Sequence, residues 1–103
     1  MNFFDQTSLK NAPKVEEAEV KLDLRGLEKP QALEKLDHIV KYCKKTSAAT
    51  LYVYFDPAKP GGGETLFQPV ARYFKFEKHN GYIENAVPVM TEKSGGLFVR
   101  FKA

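Results

Sequence analysis

The chain has 103 residues, 43% of them hydrophobic and 13% aromatic, which suits one domain with a buried core and leaves little room for a second. Sixteen Lys and Arg residues against thirteen Asp and Glu give a net charge of +3, a mild bias toward polyanions such as nucleic acid. A single cysteine, Cys43, excludes an intrachain disulfide and a cysteine-based metal site. The sequence has no apolar run approaching the roughly 20 residues of a membrane span and no leader-like amino terminus, so we expect a cytoplasmic protein.

The amino-terminal residues 1–17 contain Pro13 and show no hydrophobic period, which predicts an arm or disordered tail ahead of a domain at residues 18–103. Phe3 and Phe4 leave open whether this arm packs back on the domain, because exposed Phe side chains are costly in water.

The next residues predict a strand followed by an amphipathic helix. Apolar and polar residues alternate from Val20 to Leu24, the period of a strand with one buried face. From Pro30 to Lys45, apolar residues recur at spacings of three and four and the segment ends in basic residues, which predicts a helix. Cys43 lies on the apolar stripe of this helix, so we expect a packed thiol.

The remaining segments complete a strand-helix-strand-helix-strand-strand order. A second strand at Leu51–Phe55, a helix at Glu64–Phe76, a third strand at Ile83–Met90 and a last strand at Leu97–Phe101 are predicted. Short helical crossovers require the first three strands to be parallel, and a closing hairpin adds an antiparallel fourth. The predicted fold class is therefore α/β, a two-layer sandwich with a mixed four-stranded sheet and two helices.

In this order the chain resembles the Smr domain, the small MutS-related domain. The segment Leu22–Gly26, Leu-Asp-Leu-Arg-Gly, stands where the family has Leu-Asp-x-His-Gly at the end of its first strand. Residues 65–74 resemble the family's second helix, and residues 95–101 resemble its closing Gly-Gly turn and strand. The resemblance covers about Val20 to Lys102, and it implies a role in DNA nicking or RNA cleavage.

Two departures from the family pattern bear on catalysis. Arg25 replaces the family's histidine, and residues 56–63 replace a pattern of the type Thr-Gly-x-Gly-x-His-Ser. Arginine can bind phosphate through two parallel hydrogen bonds, but it stays protonated and cannot act as a general base. The resemblance therefore favours binding of structured DNA or RNA and leaves endonuclease activity open.

Three loops are expected to meet where the parallel strands end, and together they predict a phosphate site beside a helix amino terminus. The alternative is a set of solvated turns whose glycines were selected for positive φ. The candidate nucleic-acid-binding residues are Arg25, Gly26, Lys59, Gly61, Gly62, Gly63, Lys93 and Ser94.

Two carboxylates end neighbouring strands and are the candidate catalytic residues. Asp23 and Asp56 could together hold Mg²⁺ or Mn²⁺ and activate water for phosphodiester hydrolysis. The alternative is structural, with Asp23 capping the following loop through its backbone amides and Asp56 beginning an Asp-Pro turn.

If both helices cover one face of the sheet, aromatic and cationic side chains alternate on the other: Lys21, Tyr52, Tyr54, Phe98 and Arg100. Such a surface suits stacking of unpaired bases. It also suits a terminal arm or a protein partner. The alternative function is accordingly a non-catalytic protein-interaction module that keeps the Smr-like fold and uses this face.

Overall fold

The computed structural model describes residues 17–57, 65–91 and 94–102. In chain order the elements are β1 (Val20–Asp23), α1 (Lys29–Thr46), β2 (Thr50–Phe55), α2 (Phe67–His79), β3 (Ile83–Met90) and β4 (Gly95–Phe101). This is the predicted order of an α/β fold. The predicted arm lies outside the described residues except for Glu17. Neither described helix has the length and apolar character needed to cross a membrane.

The four strands form one mixed sheet in the order β1-β2-β4-β3. β1 and β2 are parallel, and β4 is antiparallel to both β2 and β3. The first three strands therefore point the same way, as predicted, although β4 separates β3 from β2. Because they share a direction, β1, β2 and β3 end at the same edge of the sheet, which we term the carboxyl edge.

Both helices pack on one face of this sheet. The core joins Leu36 and Val40 of α1 to Val70 and Phe74 of α2, against strand residues Leu51, Val53, Leu97 and Val99. Cys43 is buried in the same core, as predicted, and burial raises the pKa of its thiol. The opposite face, termed the helix-free face, carries the register row Lys21, Tyr52, Phe98 and Val87.

Helix α2 begins three residues later and ends three residues later than the sequence indicated. Pro69 explains the start. A helix beginning at Glu64 would place Pro69 beyond the first turn, where proline removes a hydrogen bond and clashes with the preceding turn. With Phe67 as the first residue, Pro69 falls among the four positions whose N–H groups have no partner within the helix.

The last strand also begins earlier than predicted, because Gly95 and Gly96 pair with Phe55 and Tyr54 of β2 and do not belong to the turn. A Cβ atom on Gly96 would lie 2.8 Å from Cε1 of Tyr52 and 2.8 Å from the carbonyl oxygen of Val53. Gly96 therefore provides the space into which the Tyr52 ring leans. The glycine pair is selected for this close approach within a strand.

The carboxyl-terminal ends of the two helices are joined by an ion pair at the edge opposite the carboxyl edge. Lys44 Nζ of α1 lies 2.9 Å from Oε2 of Glu77 on α2, whose side chain is only 12% exposed. The angle at which Lys44 Nζ approaches this oxygen does not suit a hydrogen bond, so the attraction between the two side chains is chiefly electrostatic. Lys44 Nζ also lies 3.7 Å from the ring centre of Tyr82. This contact explains why α2 continues past Phe76 through a charged residue.

We expect Lys44→Met to destabilise the protein more than Lys45→Met, because only the first leaves the Glu77 carboxylate nearly buried beside no cation. The expected decrease for Lys44→Met is about 1–3 kcal/mol in the free energy of unfolding, measured by urea denaturation. Lys45 is exposed on the same last turn, and its replacement removes the same charge. Equal decreases for the two variants would show that the ion pair adds nothing to stability.

Candidate nucleic-acid interface

The carboxyl edge is organised around an ion pair within the loop that follows β1. Arg25 Nε donates to Oδ1 of Asp23 at 3.0 Å, and Nη2 donates to Oδ2 at 3.0 Å. The backbone N–H of Arg25 donates to the same Oδ1 at 2.9 Å. The side-chain hydrogen bond from Arg25, reinforced by this backbone bond, lowers the pKa of Asp23 below its usual range. Asp23 therefore caps the loop, which was the structural alternative for this residue.

The guanidinium of Arg25 also contacts an aromatic ring on the helix-free face. Its Cζ atom lies 5.1 Å from the ring centre of Tyr54. Tyr54 in turn stacks on Tyr52, with ring centres 5.4 Å apart and planes inclined by 16°. Arg25, Tyr54 and Tyr52 thus form a continuous row, in which the guanidinium carbon lies over the Tyr54 ring and the two rings are stacked; we term it the Arg–Tyr row. Despite these contacts the Arg25 side chain remains 47% exposed.

Asp56 ties the loop after β1 to the end of β2. Its Oδ2 accepts a hydrogen bond of 2.8 Å from the backbone N–H of Gly26. Gly26 has a φ of +79°, a conformation that favours glycine. Asp56 therefore holds two neighbouring loops together, which extends the structural role considered for it beyond the Asp-Pro turn.

Some predicted site residues can be placed and others cannot. Arg25 and Gly26 lie in the loop after β1, and Ser94 lies in the hairpin between β3 and β4, at the same carboxyl edge. Ser94 and Thr91 exchange two hydrogen bonds across that hairpin. The N–H of Ser94 donates to Oγ1 of Thr91 at 3.0 Å, and the N–H of Thr91 donates to the carbonyl oxygen of Ser94 at 2.9 Å. Outside the described residues lie Lys59, Gly61, Gly62, Gly63 and Lys93.

The two candidate catalytic carboxylates are both engaged by the protein itself. Asp23 accepts three hydrogen bonds from Arg25, and Asp56 accepts one from Gly26. Within residues 17–57, 65–91 and 94–102, no group of three or more His, Cys, Asp or Glu side chains is arranged to hold a metal ion. A Mg²⁺ or Mn²⁺ ion at Asp23 would have to compete with the Arg25 guanidinium for the same oxygens.

Sequence reasoning missed the cation–ring contact of Arg25 with Tyr54 and the hydrogen bond from Gly26 to Asp56. The first contact could have been inferred from the pairing of Asp23 with Tyr54 on the neighbouring strand, because Arg25 follows Asp23 by two residues and can reach back over that ring. The second signal is the position of Asp56 directly after β2, beside the loop after β1 that contains Gly26.

No protein-family model matches the chain, and no curated protein matches it in sequence. A search of solved structures finds similarity to the crystal structure of the Smr domain of Thermus thermophilus MutS2, with a TM-score of 0.57 and 16% sequence identity. The match covers 81% of this chain and 98% of that one. At this identity the likeness concerns the fold, so the resemblance to the Smr domain is confirmed at that level: the chain has an Smr-like α/β fold.

The Asp23–Arg25 pair predicts a measurable titration. In Arg25→Ala, the pKa of Asp23 should rise toward its ordinary range, as followed by NMR of the side-chain carboxyl carbon. Since the folded-state pKa is depressed, the pair stabilises the fold above the unfolded-state pKa, and this contribution disappears as pH falls through the folded-state pKa. For a pair this exposed the contribution should be small, because solvent screens it.

Asp37 is the internal control for this titration. Hydrogen bonds from Lys41 and Tyr73 lower its pKa, and neither involves Arg25. Its pKa should be the same in the wild-type protein and in Arg25→Ala. An unchanged pKa for Asp23 would show that the pair does not persist in solution.

Proposed function

We propose that this Smr-like domain binds structured DNA or RNA at its carboxyl edge. The observation that supports this most directly is the half-exposed guanidinium of Arg25, held at the point where β1 and β2 end. Two of its five N–H donors bind Asp23, which leaves three for a phosphate group. The Smr-like fold and the net charge of +3 agree with such a partner.

The loops proposed to complete this phosphate site come from the two other connections at the same edge. Lys59 and Gly61–Gly63 follow β2, and Lys93 and Ser94 connect β3 to β4. Cations and backbone amides from three separate loops would then contact successive phosphates. The shared direction of β1, β2 and β3, which end at the same edge of the sheet, supports this placement of the three loops.

The salt dependence of binding tests the phosphate site. For a stem-loop or duplex DNA, the double variant Arg25→Ala and Lys93→Ala should weaken binding and flatten the plot of log affinity against log salt, by about 0.9 for each phosphate that the variant no longer neutralises. Lys45→Ala is the matched control, because it removes a cation at the opposite edge of the sheet. A slope equal to that of the wild-type protein would remove Arg25 and Lys93 from the site.

Phosphodiester cleavage is a separate question, for which the candidate residues are Asp23 and Asp56. Arg25 cannot take a proton from water, and the two carboxylates are already hydrogen-bonded. We therefore expect weak or absent nuclease activity on supercoiled DNA and on stem-loop RNA with Mg²⁺ or Mn²⁺. Any cleavage should disappear with chelator and in Asp23→Asn, as seen by gel analysis.

The contrary outcome for catalysis is well defined. Robust cleavage that survives chelator, in protein freed of contaminating nucleases, and that Arg25→Ala abolishes would contradict a metal-dependent role for Asp23. Arg25 would then stabilise charge in the transition state directly.

A protein-interaction module remains the alternative function, and the helix-free face is its candidate surface. Docking of a protein partner there would depend mainly on apolar contacts and would lack the steep salt dependence of phosphate binding. The same titration series therefore separates the two functions.

A further inference from the structure

The Arg–Tyr row ends at the carboxyl edge in a planar, exposed cation. Tyr52 precedes Tyr54 on β2, while Arg25 follows the end of β1, which pairs with β2 through Asp23 and Tyr54. Along the sheet the order is therefore Tyr52, Tyr54, Arg25. The guanidinium is the outermost group of the row, and its ring contact is made with Tyr54.

Asp23 fixes the orientation of that plane. Two parallel hydrogen bonds of 3.0 Å leave the guanidinium little freedom to rotate, and the contact with Tyr54 restrains it further. Ordering an exposed arginine costs side-chain entropy that a surface ion pair barely offsets. An exposed planar group held in this way is preorganised to receive another planar group.

We propose that the outer plane of the Arg25 guanidinium stacks an unpaired nucleobase, so that the substrate class of the carboxyl edge is nucleic acid with single-stranded or looped-out nucleotides. The inference rests on the proposed function, because it assigns a base contact within the same site. Arginine planes and aromatic rings are the groups on which proteins stack unpaired bases. In a fully paired duplex the base faces are already stacked on one another and cannot reach the row.

The charges of the helix-free face favour this ligand. Besides Arg25 it carries the exposed cations Lys21 and Arg100. Within the described part of the chain, Arg25 forms an ion pair with Asp23, and the other two cations form none. These cations flank the row on the neighbouring strands, where they can follow a phosphate backbone.

A protein partner fits this face less well. Tyr52 is 7% exposed and Phe98 is 6% exposed, so the centre of the face offers little apolar area. The large apolar side chains that are exposed in the described residues belong to the two helices, the loop before β3 and the end of β3: Tyr42, Phe76, Tyr82 and Met90. The core of a protein interface is apolar, and this surface lacks such a core.

The test uses the full chain and oligonucleotides that contain 2-aminopurine, whose fluorescence is quenched when the base stacks. Single-stranded DNA, single-stranded RNA and the matching duplexes are titrated with the wild-type protein and with Arg25→Lys, which keeps the charge and removes the plane. We expect quenching in the single strands and a decrease of about 5- to 150-fold in affinity for them in Arg25→Lys. The salt slope should stay unchanged because lysine keeps the charge. The affinity for the duplexes should fall less than the affinity for the single strands, because only the single strands offer a base to the guanidinium plane. Comparison of DNA with RNA identifies the preferred sugar.

Three further variants control the experiment. Tyr54→Leu removes the ring beneath the guanidinium and should abolish quenching, whereas Tyr54→Phe keeps the ring and should retain it. Arg72→Lys makes the same exchange at an exposed position on α2 and should bind like the wild-type protein. Circular dichroism and thermal unfolding verify that each variant is folded.

The outcomes separate this inference from the proposed function. If Arg25→Lys binds single strands as tightly as the wild-type protein, the stacking proposal fails, while a salt slope that Arg25→Ala still flattens would leave phosphate binding intact. Absence of any salt-dependent binding would overturn both. A dimer that Arg25→Lys and Tyr54→Leu convert to monomer, without quenching of 2-aminopurine, would assign the row to contact between two copies and overturn the proposal.

Discussion

The common direction of β1, β2 and β3 and their order in the sheet determine where the other parts of the molecule lie. Each helix connects two strands that point the same way, and such crossovers are right-handed. Both crossovers proceed in the same direction across the sheet, so both helices pack on the same face. Among the described residues, the main core cluster, with residues such as Leu36 and Phe74, therefore lies on that side. The other face retains side chains selected for something besides helix packing.

The same connectivity separates the two ends of the sheet by role. At one edge the ends of α1 and α2 meet through Lys44 and Glu77, a contact that is nearly buried and serves packing. At the other edge, the ion pair of Asp23 and Arg25 is more than two-fifths exposed on both sides. An exposed pair stabilises a fold little. Its value lies in the orientation that it gives to the guanidinium.

The sequence was sufficient for the fold because its information there is local. Alternation of apolar residues around Leu22 and Val53 identifies strands, and the spacing of Leu36, Val40 and Cys43 identifies a helix. The start of α2 was missed although its cause, Pro69, is local, whereas the start of β4 was missed because a distant residue decides the local structure. Gly96 is typical of a turn until the Tyr52 ring is known to lie beside it. For the site, residue types at the strand ends could be predicted, whereas the contact between Arg25 and Tyr54 depends on side-chain directions in three dimensions.

The arginine at position 25 limits what this edge can do. A histidine titrates near neutral pH and can accept a proton, whereas a guanidinium stays charged, and the neighbouring Asp23 raises the pKa of Arg25 further. Proton transfer is thereby excluded at this position, but two properties are added: a permanent positive charge and a flat surface for stacking. The ion pair, the Tyr54 ring and the exposed guanidinium together favour recognition over chemistry. Under the proposed function, Arg25 in the loop after the first strand would hold a nucleotide and could not itself take a proton from water.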